Sequence, residues 1–183
     1  IDTNSNNNVV ATAATTITGT AAAIKTAIES STINTSSTYA VTISSTVTVA
    51  QLKAINDDTS GAIALSNTSA ALSGTATDLQ SAFAGTVTAY GGDVTVTSSV
   101  NVAKLKDIND AVSGTITLNN TTSILYGTAS DLTDALDGLT GYTADIVIAD
   151  EPTSAQLKAI NDAVDGSISL NDWDGALSGT ASV

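Results

Sequence analysis

The chain reads AQLKAIND at residues 50–57, AKLKDIND at 103–110 and AQLKAIND again at 155–162. The central leucines of these phrases, Leu52, Leu105 and Leu157, are 53 and 52 residues apart. A second phrase alternates with the first and reads ITGT at 17–20, LSGT at 72–75, LYGT at 125–128 and LSGT at 177–180. Two interleaved phrases with one shared period indicate a tandem-repeat protein, in which each unit buries its apolar face against its neighbours.

The first phrase predicts a short helix in every copy. Its leucine and isoleucine are three residues apart, as in Leu52 and Ile55, and so lie on one helix face. A good N-cap residue precedes each leucine by four positions: Thr48, Asn101 and Thr153. Gln51 and Gln156 add capping boxes. A glycine follows each helix and is interpreted as its C-terminal signal: Gly61, Gly114 and Gly166.

The second phrase predicts another helix, capped by Thr75 and Thr128 with Asp78 and Asp131 at the third helical position. Apolar residues near the N-terminus, including Ile24, have the same helical spacing. Short alternating or apolar runs predict strands between the helices. The runs are Val41 to Ile43, AIAL at 62–65, Val94 to Val96, TITL at 115–118, Ile146 to Ile148 and SISL at 167–170. One period is therefore expected to contain strand, helix, strand, helix.

These elements predict an α/β fold: a tandem-repeat solenoid of β-α coils, with a continuous, mostly parallel sheet on one side and short helices on the other. The alternative is a mixed sheet with hairpins, in which GTVTAYGGDVTVT at 85–97 turns about Gly91 and Gly92. Residues 1–16 are expected to be an atypical N-terminal segment. Residues 17–183 are expected to hold about three tandem repeats of about 52 residues in one continuous array.

Composition argues against several classes of function. The net charge is −13, from 18 acids and 5 lysines, and the 183 residues include no His, Cys, Met or Arg. Without His or Cys an enzyme is not expected. An acidic chain with so few cations is not expected to bind nucleic acid. No apolar stretch approaches the roughly 20 residues that span a bilayer, so membrane insertion is not expected.

The run NDWDG contains the polar residues that most resemble a ligand site. Asn171, Asp172 and Asp174 with Gly175 are similar to a calcium-binding turn, because carboxylates two apart can supply oxygen ligands. The closing Glu of an EF-hand is absent, and an Asx-rich turn is the preferred interpretation. Trp173 is interpreted as packing, with a glycan or partner contact as the alternative. Calcium is the one cofactor that the sequence leaves open.

Two further patterns have a structural and a functional interpretation. Thr-x-Thr strings occur at residues 46–48, 86–88, 95–97 and 115–117. Threonine ladders are typical of ice-binding solenoids, but these strings do not persist between copies, so ordinary β-propensity is preferred. Lys53, Lys106 and Lys158 share one helix position and are expected to pair with nearby acids such as Asp57 or Asp110.

The phrases TVAQLKAIND…SGTITL and ALSGTATDLQSAFAG…VTVT resemble a repeat of very large bacterial surface or secreted proteins, found in cyanobacteria and marine bacteria and often in adhesin-like chains. The resemblance covers residues 41–183 well and the first forty weakly; residues 1–10 depart from the pattern. It implies an extracellular or cell-surface location and a structural or adhesive role. It carries over no catalytic residues.

The expected function is a structural scaffold or stalk within a surface or adhesive protein. One alternative is a self-assembling filament or surface-layer subunit, because the sequence shows no polar cap and identical subunits would join head to tail. Another is a binding module for calcium, glycan or ice. The expected partners are accordingly neighbouring repeats or identical subunits.

Overall fold

The computed structural model describes residues 8–84, 87 and 89–171. In this part the chain is α/β, with six helices and eleven short strands. The helices are α1 Ala21–Ile28, α2 Val49–Asp58, α3 Ala76–Phe83, α4 Val102–Ala111, α5 Ala129–Leu136 and α6 Ser154–Ala163. The strands are β1 Val9–Ala11, β2 Thr16–Gly19, β3 Ile33–Thr35, β4 Ala40–Ile43, β5 Ile63–Leu65, β6 Leu72–Gly74, β7 Val94–Val96, β8 Ile116–Leu118, β9 Leu125–Gly127, β10 Ile146–Ile148 and β11 Ile168–Leu170.

The predicted helix starts are confirmed. Thr48 and Thr153 form full capping boxes with Gln51 and Gln156, and the Asn101 side chain accepts a hydrogen bond from the Lys104 amide. The shorter helices are capped in the same way by the threonines of the second phrase: Thr20, Thr75 and Thr128. Each cap satisfies an amide that the helix itself cannot bond, which is why these positions set the boundaries.

Every strand pairing among the described residues is parallel. β4 lies between β2 and β5, β7 between β6 and β8, and β10 between β9 and β11, while β1 pairs with β3. Val87 and Tyr90 also form parallel bridges, to Ile63 and Val112. The segment that the alternative interpretation places in a hairpin about Gly91 and Gly92 therefore shows no antiparallel pairing in the described residues, which favours the predicted parallel arrangement.

The strand content of one period differs from the prediction. The second phrase forms strands of its own, β2, β6 and β9, so the two later periods each contain three strands instead of two, and the first contains four because β3 is added. In β6, Leu72 is buried and Ser73 exposed, as a half-buried strand requires. Lateral spacing gives a physical reason for the extra strands. Packed helices lie roughly 8–10 Å apart, whereas neighbouring strands lie roughly 4.8 Å apart, so a layer of strands has room for more members than a layer of helices of the same width.

A continuous sheet was predicted, but the described strands form four small sheets. The links at 66–71 and 119–124 join β5 to β6 and β8 to β9 with six residues and no helix. A parallel neighbour in the same sheet needs a crossover of a dozen or more residues, usually with a helix. After each short link the chain therefore begins a new sheet.

Corresponding segments pack alike in the three larger sheets. The central strand pairs with the strand that follows its long helix at the same offset each time: Val41 with Ile63, Val94 with Ile116 and Ile146 with Ile168. Each helix also contacts the next helix along the chain. The core between the layers is continuous and includes the fully buried leucines Leu52, Leu79, Leu105 and Leu132.

The glycines after the long helices do not end them, contrary to the sequence interpretation. α4 ends at Ala111, and its cap residue Val112 is already extended. A Cβ on Gly114 would lie 2.3 Å from the Gly92 carbonyl oxygen, and Gly61 and Gly166 show the same close approach. Glycine is needed at this recurring position because the backbone of a neighbouring segment passes where a side chain would begin.

Candidate interaction surface

The asparagine of the first phrase joins one helix to the next. Asn56 of α2 donates its side-chain amide to the Ser81 carbonyl of α3 at 2.8 Å. Asn109 of α4 makes the equivalent bond to the Asp134 carbonyl of α5, also at 2.8 Å. The phrase therefore has two roles: its leucine and isoleucine are buried in the core, and its asparagine holds the following helix.

A second recurring bond fixes the first amide of each short helix. The amides of Ala21, Ala76 and Ala129 donate to Ser45 Oγ at 3.1 Å, Ser98 Oγ at 3.0 Å and Asp150 Oδ1 at 2.7 Å. The three acceptors follow the central strands β4, β7 and β10. An oxygen ligand, and above all a carboxylate, is favourable at a helix N-terminus. Contacts between neighbouring elements are thus copied from one period to the next.

The glycine of the second phrase provides close packing against the preceding long helix. A Cβ on Gly74 would lie 3.2 Å from a Val49 methyl carbon, and one on Gly127 would lie 3.2 Å from the equivalent methyl of Val102. The gap is too narrow for a side chain to enter without movement of its neighbour. Strands β6 and β9 therefore sit directly against the first turn of the long helix before them.

Removing the asparagine contact gives a matched pair of variants. We expect Asn109→Ala to lower the free energy of unfolding by about 1–2 kcal/mol, because a half-buried carbonyl loses its donor. Asn161 holds the same position in the third phrase and is exposed. Its side chain has no hydrogen-bond partner within residues 8–84, 87 and 89–171. Asn161→Ala should therefore change stability by less than about 0.5 kcal/mol. Urea unfolding followed by circular dichroism measures both, and equal losses would contradict the assignment.

Three buried tyrosines join neighbouring segments within each period. Tyr90 donates its hydroxyl to the Ala70 carbonyl at 2.5 Å, and Tyr142 makes the equivalent bond to Ser123. Tyr39 instead donates to the Asp58 carboxylate. Burial raises the pKa of the Tyr90 and Tyr142 phenols above their ordinary value of 10.0. Burial, followed by the Asp58 hydrogen bond, raises the pKa of Tyr39.

These shifts predict a loss of stability in alkali. Above pH 10 the tyrosines of the unfolded chain ionise while the buried ones keep their protons, so the unfolded state is favoured as pH rises. Urea midpoints measured from about pH 9 to about pH 11 should fall. Tyr142→Phe should show a shallower fall than the wild type, and an unchanged slope would argue against a buried phenol at this position.

The ion pairs of the lysines agree in part with the prediction. Lys53 pairs with Asp57 at 2.6 Å and Lys158 with Asp162 at 2.5 Å, each one helical turn away. Lys106 was expected to pair within its own helix, with Asp110, but it bonds Asp134 of α5 instead. That hydrogen bond raises the pKa of the Lys106 ammonium group. The counterpart of Asp134 in α3 is the uncharged Ser81, so Lys53 keeps the carboxylate of its own helix.

An acidic groove of about 780 Å³ runs beside the C-terminal ends of α4 and α5. Its lining includes Asp93, Asp110, Asp134 and Asp137. No group of three or more acidic, histidine or cysteine side chains in the described residues is arranged to hold a metal ion. None of the helices in this part has the length and apolarity that crossing a membrane requires.

The predicted calcium turn lies mostly outside the described residues. Asn171 is exposed at the end of β11, whereas Asp172, Trp173, Asp174 and Gly175 are not described. Calcium binding by this run stays a prediction. Of the threonine strings, Thr86 and Thr88 are not described.

The strings at 95–97 and 115–117 contribute to a row that the sequence did not reveal. Ser73, Thr95 and Thr117 are register partners across β6, β7 and β8. The row is one residue wide on each strand, and in the third sheet Tyr126, 60 % exposed, and Val147 replace Ser73 and Thr95. The hydroxyl row is therefore confined to part of the array.

No protein-family model, curated protein or solved structure matches this chain. The described surface is therefore interpreted from its own geometry. Within the described residues, its recurring polar groups bond neighbouring elements of the chain.

Proposed function

We propose that this chain is a structural segment of an extracellular or cell-surface protein, a solenoid of β-α coils that acts as a scaffold or stalk. The observation that carries the proposal is the copied contact between coils. Asn56 and Asn109 bond the following helix at the same distance, and Ala21, Ala76 and Ala129 donate to equivalent oxygens. A chain whose repeated residues hold only their neighbours is typical of an array with a mechanical role.

The order of the helices supports the solenoid. Each of α1 to α5 contacts its successor, and the contacts of α2 with α3 and of α4 with α5 are the most extensive. Such nearest-neighbour packing lets an array grow without a new kind of interface. It also agrees with the adhesin-like repeats that the sequence resembles.

Surface chemistry supports a location outside the cell. The chain is acidic and has no cysteine, so it needs no particular redox compartment. Trypsin-like proteases have only five lysines to cleave at. Four of these form ion pairs: Lys25, Lys53, Lys106 and Lys158. The fifth, Lys104, donates to Thr77. We infer that low susceptibility to proteolysis is part of the role.

Duplicating one period tests the proposed stacking. A second copy of residues 66–118 inserted after Leu118 should fold as two more coils, because the one new junction, between α4 and the second copy of α3, is of the same class as the α2–α3 and α4–α5 contacts. Small-angle scattering should show a maximum dimension longer by roughly 16–20 Å, the width of two packed helices. The urea midpoint should be maintained or rise.

The matched control is an insertion of equal length made of glycine and serine at the same site. It should add a flexible loop without the ordered extension. A duplication that lowers the urea midpoint as much as this control does would contradict the proposed solenoid. Titration with calcium and a glycan array address the binding-module alternative, and we expect neither to give saturable binding.

A further inference from the structure

The chain contains four Asn-x-Ser/Thr triplets, the acceptor motif for N-linked sugars on the surface loops of secreted proteins. Such triplets also arise by chance in a chain this rich in Ser and Thr, so the geometry of each one decides what it can do. They begin at Asn34, Asn67, Asn119 and Asn120. Asn67 and Asn120 are equivalent residues, 53 positions apart, in the links at 66–71 and 119–124.

The two equivalent asparagines adopt the same turn. Asn67 Oδ1 accepts hydrogen bonds from the Ser69 amide and the Ser69 hydroxyl, both at 3.1 Å. Asn120 Oδ1 accepts from the Thr122 amide at 3.1 Å and from the Thr122 hydroxyl at 2.9 Å. Neither Nδ2 atom has a hydrogen-bond partner within residues 8–84, 87 and 89–171. The turn thus fixes each carboxamide through its oxygen and leaves its nitrogen available.

This arrangement favours attack by the amide nitrogen on the anomeric carbon of a sugar. An amide nitrogen is a weak nucleophile, because resonance delocalises its lone pair onto the carbonyl oxygen. Loss of a proton from Nδ2 makes the nitrogen reactive and places negative charge on Oδ1. Two donors already directed at Oδ1 stabilise that charge, as preorganised donors do in an oxyanion hole. The folded chain supplies both donors before any enzyme binds.

The other two triplets lack this turn in the described residues. Asn34 lies in the extended strand β3, and the Ser36 hydroxyl oxygen accepts a hydrogen bond at 3.4 Å from the amide two residues further on. In the triplet at 119–121, the Thr121 hydroxyl bonds the Thr143 hydroxyl at 2.7 Å. In both cases the hydroxyl of the third residue is engaged away from the asparagine that begins the triplet.

Exposure and turn geometry predict opposite rankings of the four asparagines. Asn34 and Asn119 are exposed, whereas Asn67 and Asn120 are half-buried. If access alone selected the acceptor, the exposed pair would react first. If the turn selects it, the half-buried pair reacts first.

We propose that Asn67 and Asn120 are acceptor sites for N-linked glycosylation, each taking a sugar from a donor whose anomeric carbon carries a diphosphate leaving group. Nδ2 forms a bond to that carbon, the bond from the carbon to the diphosphate oxygen breaks with its electron pair on the oxygen, and the Nδ2 proton passes to a base of the transferase. A sugar at each site would cover a link between sheets, the kind of surface segment at which proteases cut. This inference goes beyond the scaffold role, which the period duplication tests separately.

Site occupancy measured on the folded, full-length chain tests the proposal. One reaction contains a soluble N-glycosyltransferase with uridine diphosphate glucose, and the other contains a membrane-bound oligosaccharyltransferase with a lipid-linked oligosaccharide. The reaction that responds identifies the source of the sugar. Peptide mass spectrometry with electron-transfer fragmentation separates the adjacent Asn119 and Asn120. We expect occupancy at Asn67 and Asn120 to exceed that at Asn34 and Asn119 by roughly tenfold or more, because hydrogen bonds to the developing charge lower the barrier.

Variants of the third residue form matched pairs. Ser69→Ala removes the hydroxyl and should lower occupancy at Asn67 by roughly tenfold or more without changing Asn120, whereas Ser69→Thr should retain it. Thr122→Val and Thr122→Ser are the equivalent pair for Asn120. Because Ser69 and Thr122 are exposed, all four variants should keep the urea midpoint of the wild type.

Absence of sugar at both Asn67 and Asn120 in both reactions, with each transferase active on a standard acceptor peptide, would overturn the proposal. Occupancy at Asn34 and Asn119 equal to or above that of the other pair would also overturn it, because access and not the turn would then select the acceptor. A failure of either kind leaves the stacking between coils intact.

Discussion

Leu105→Ala is expected to lower the free energy of unfolding by about 3–4 kcal/mol, whereas the same change at Leu157 should cost about 1–2 kcal/mol. Both leucines occupy one position of the repeated phrase. Leu105 is fully buried between layers that continue on both sides, and Leu157 is half-buried in α6, the last helix of the described residues. Removal of the Leu105 side chain leaves a cavity that packed neighbours on α3 and α5 cannot close.

Urea unfolding monitored by far-ultraviolet circular dichroism gives the two values. Val10→Ala is a suitable third variant, because its side chain is exposed and its loss should change stability by less than about 0.5 kcal/mol. Equal losses of unfolding free energy for Leu105→Ala and Leu157→Ala would show that packing against the next helix does not determine how much this leucine stabilises the fold.

Gly114→Ala should cost about 2–3 kcal/mol, although it adds a single methyl group. The added carbon would lie 2.3 Å from the Gly92 oxygen and 2.6 Å from the Gly92 carbonyl carbon, both of which are backbone atoms. Backbone cannot rotate aside as a side chain can, so the strands that flank the position must separate. The same argument applies to Gly61 and Gly166, which meet backbone oxygens at 2.2 Å and 2.1 Å.

Gly91 provides the control for this substitution. A Cβ there would lie 3.6 Å from the Thr68 hydroxyl oxygen, an ordinary contact distance. Gly91→Ala should be neutral within about 0.5 kcal/mol, or slightly stabilising through reduced entropy of the unfolded chain. A thermal or urea measurement that ranks Gly91→Ala as the more damaging change would refute the close-approach explanation.

The local signals of the sequence predicted the helices well. Thr48, Asn101 and Thr153 are N-caps as expected, because capping depends on residues only three positions away. The strands around Val41, Val94 and Ile146 were also predicted correctly, since both of their ends are buried and the alternation is visible. The α/β class and the parallel pairing follow from these elements.

Features that depend on distant segments were not predictable in the same way. β6 reads LSG, whose single apolar residue gives no alternation to detect, and its existence depends on how strands and helices match across the layers. Gly114 seemed to be a helix signal because its true neighbour, Gly92, is 22 residues away. The pairing of Lys106 with Asp134 was missed for the same reason, because the two residues are 28 positions apart.

The ratio of strands to helices has a consequence for the shape of a longer array of these periods. When one layer of a solenoid is wider than the other, every added coil tilts the axis and the molecule curls. Here two helices would advance one layer by roughly 16–20 Å in each period, and three strands would advance the other by roughly 14 Å. An array built on this plan would curve gently with the helices on its convex side, and its reach would grow with the number of periods.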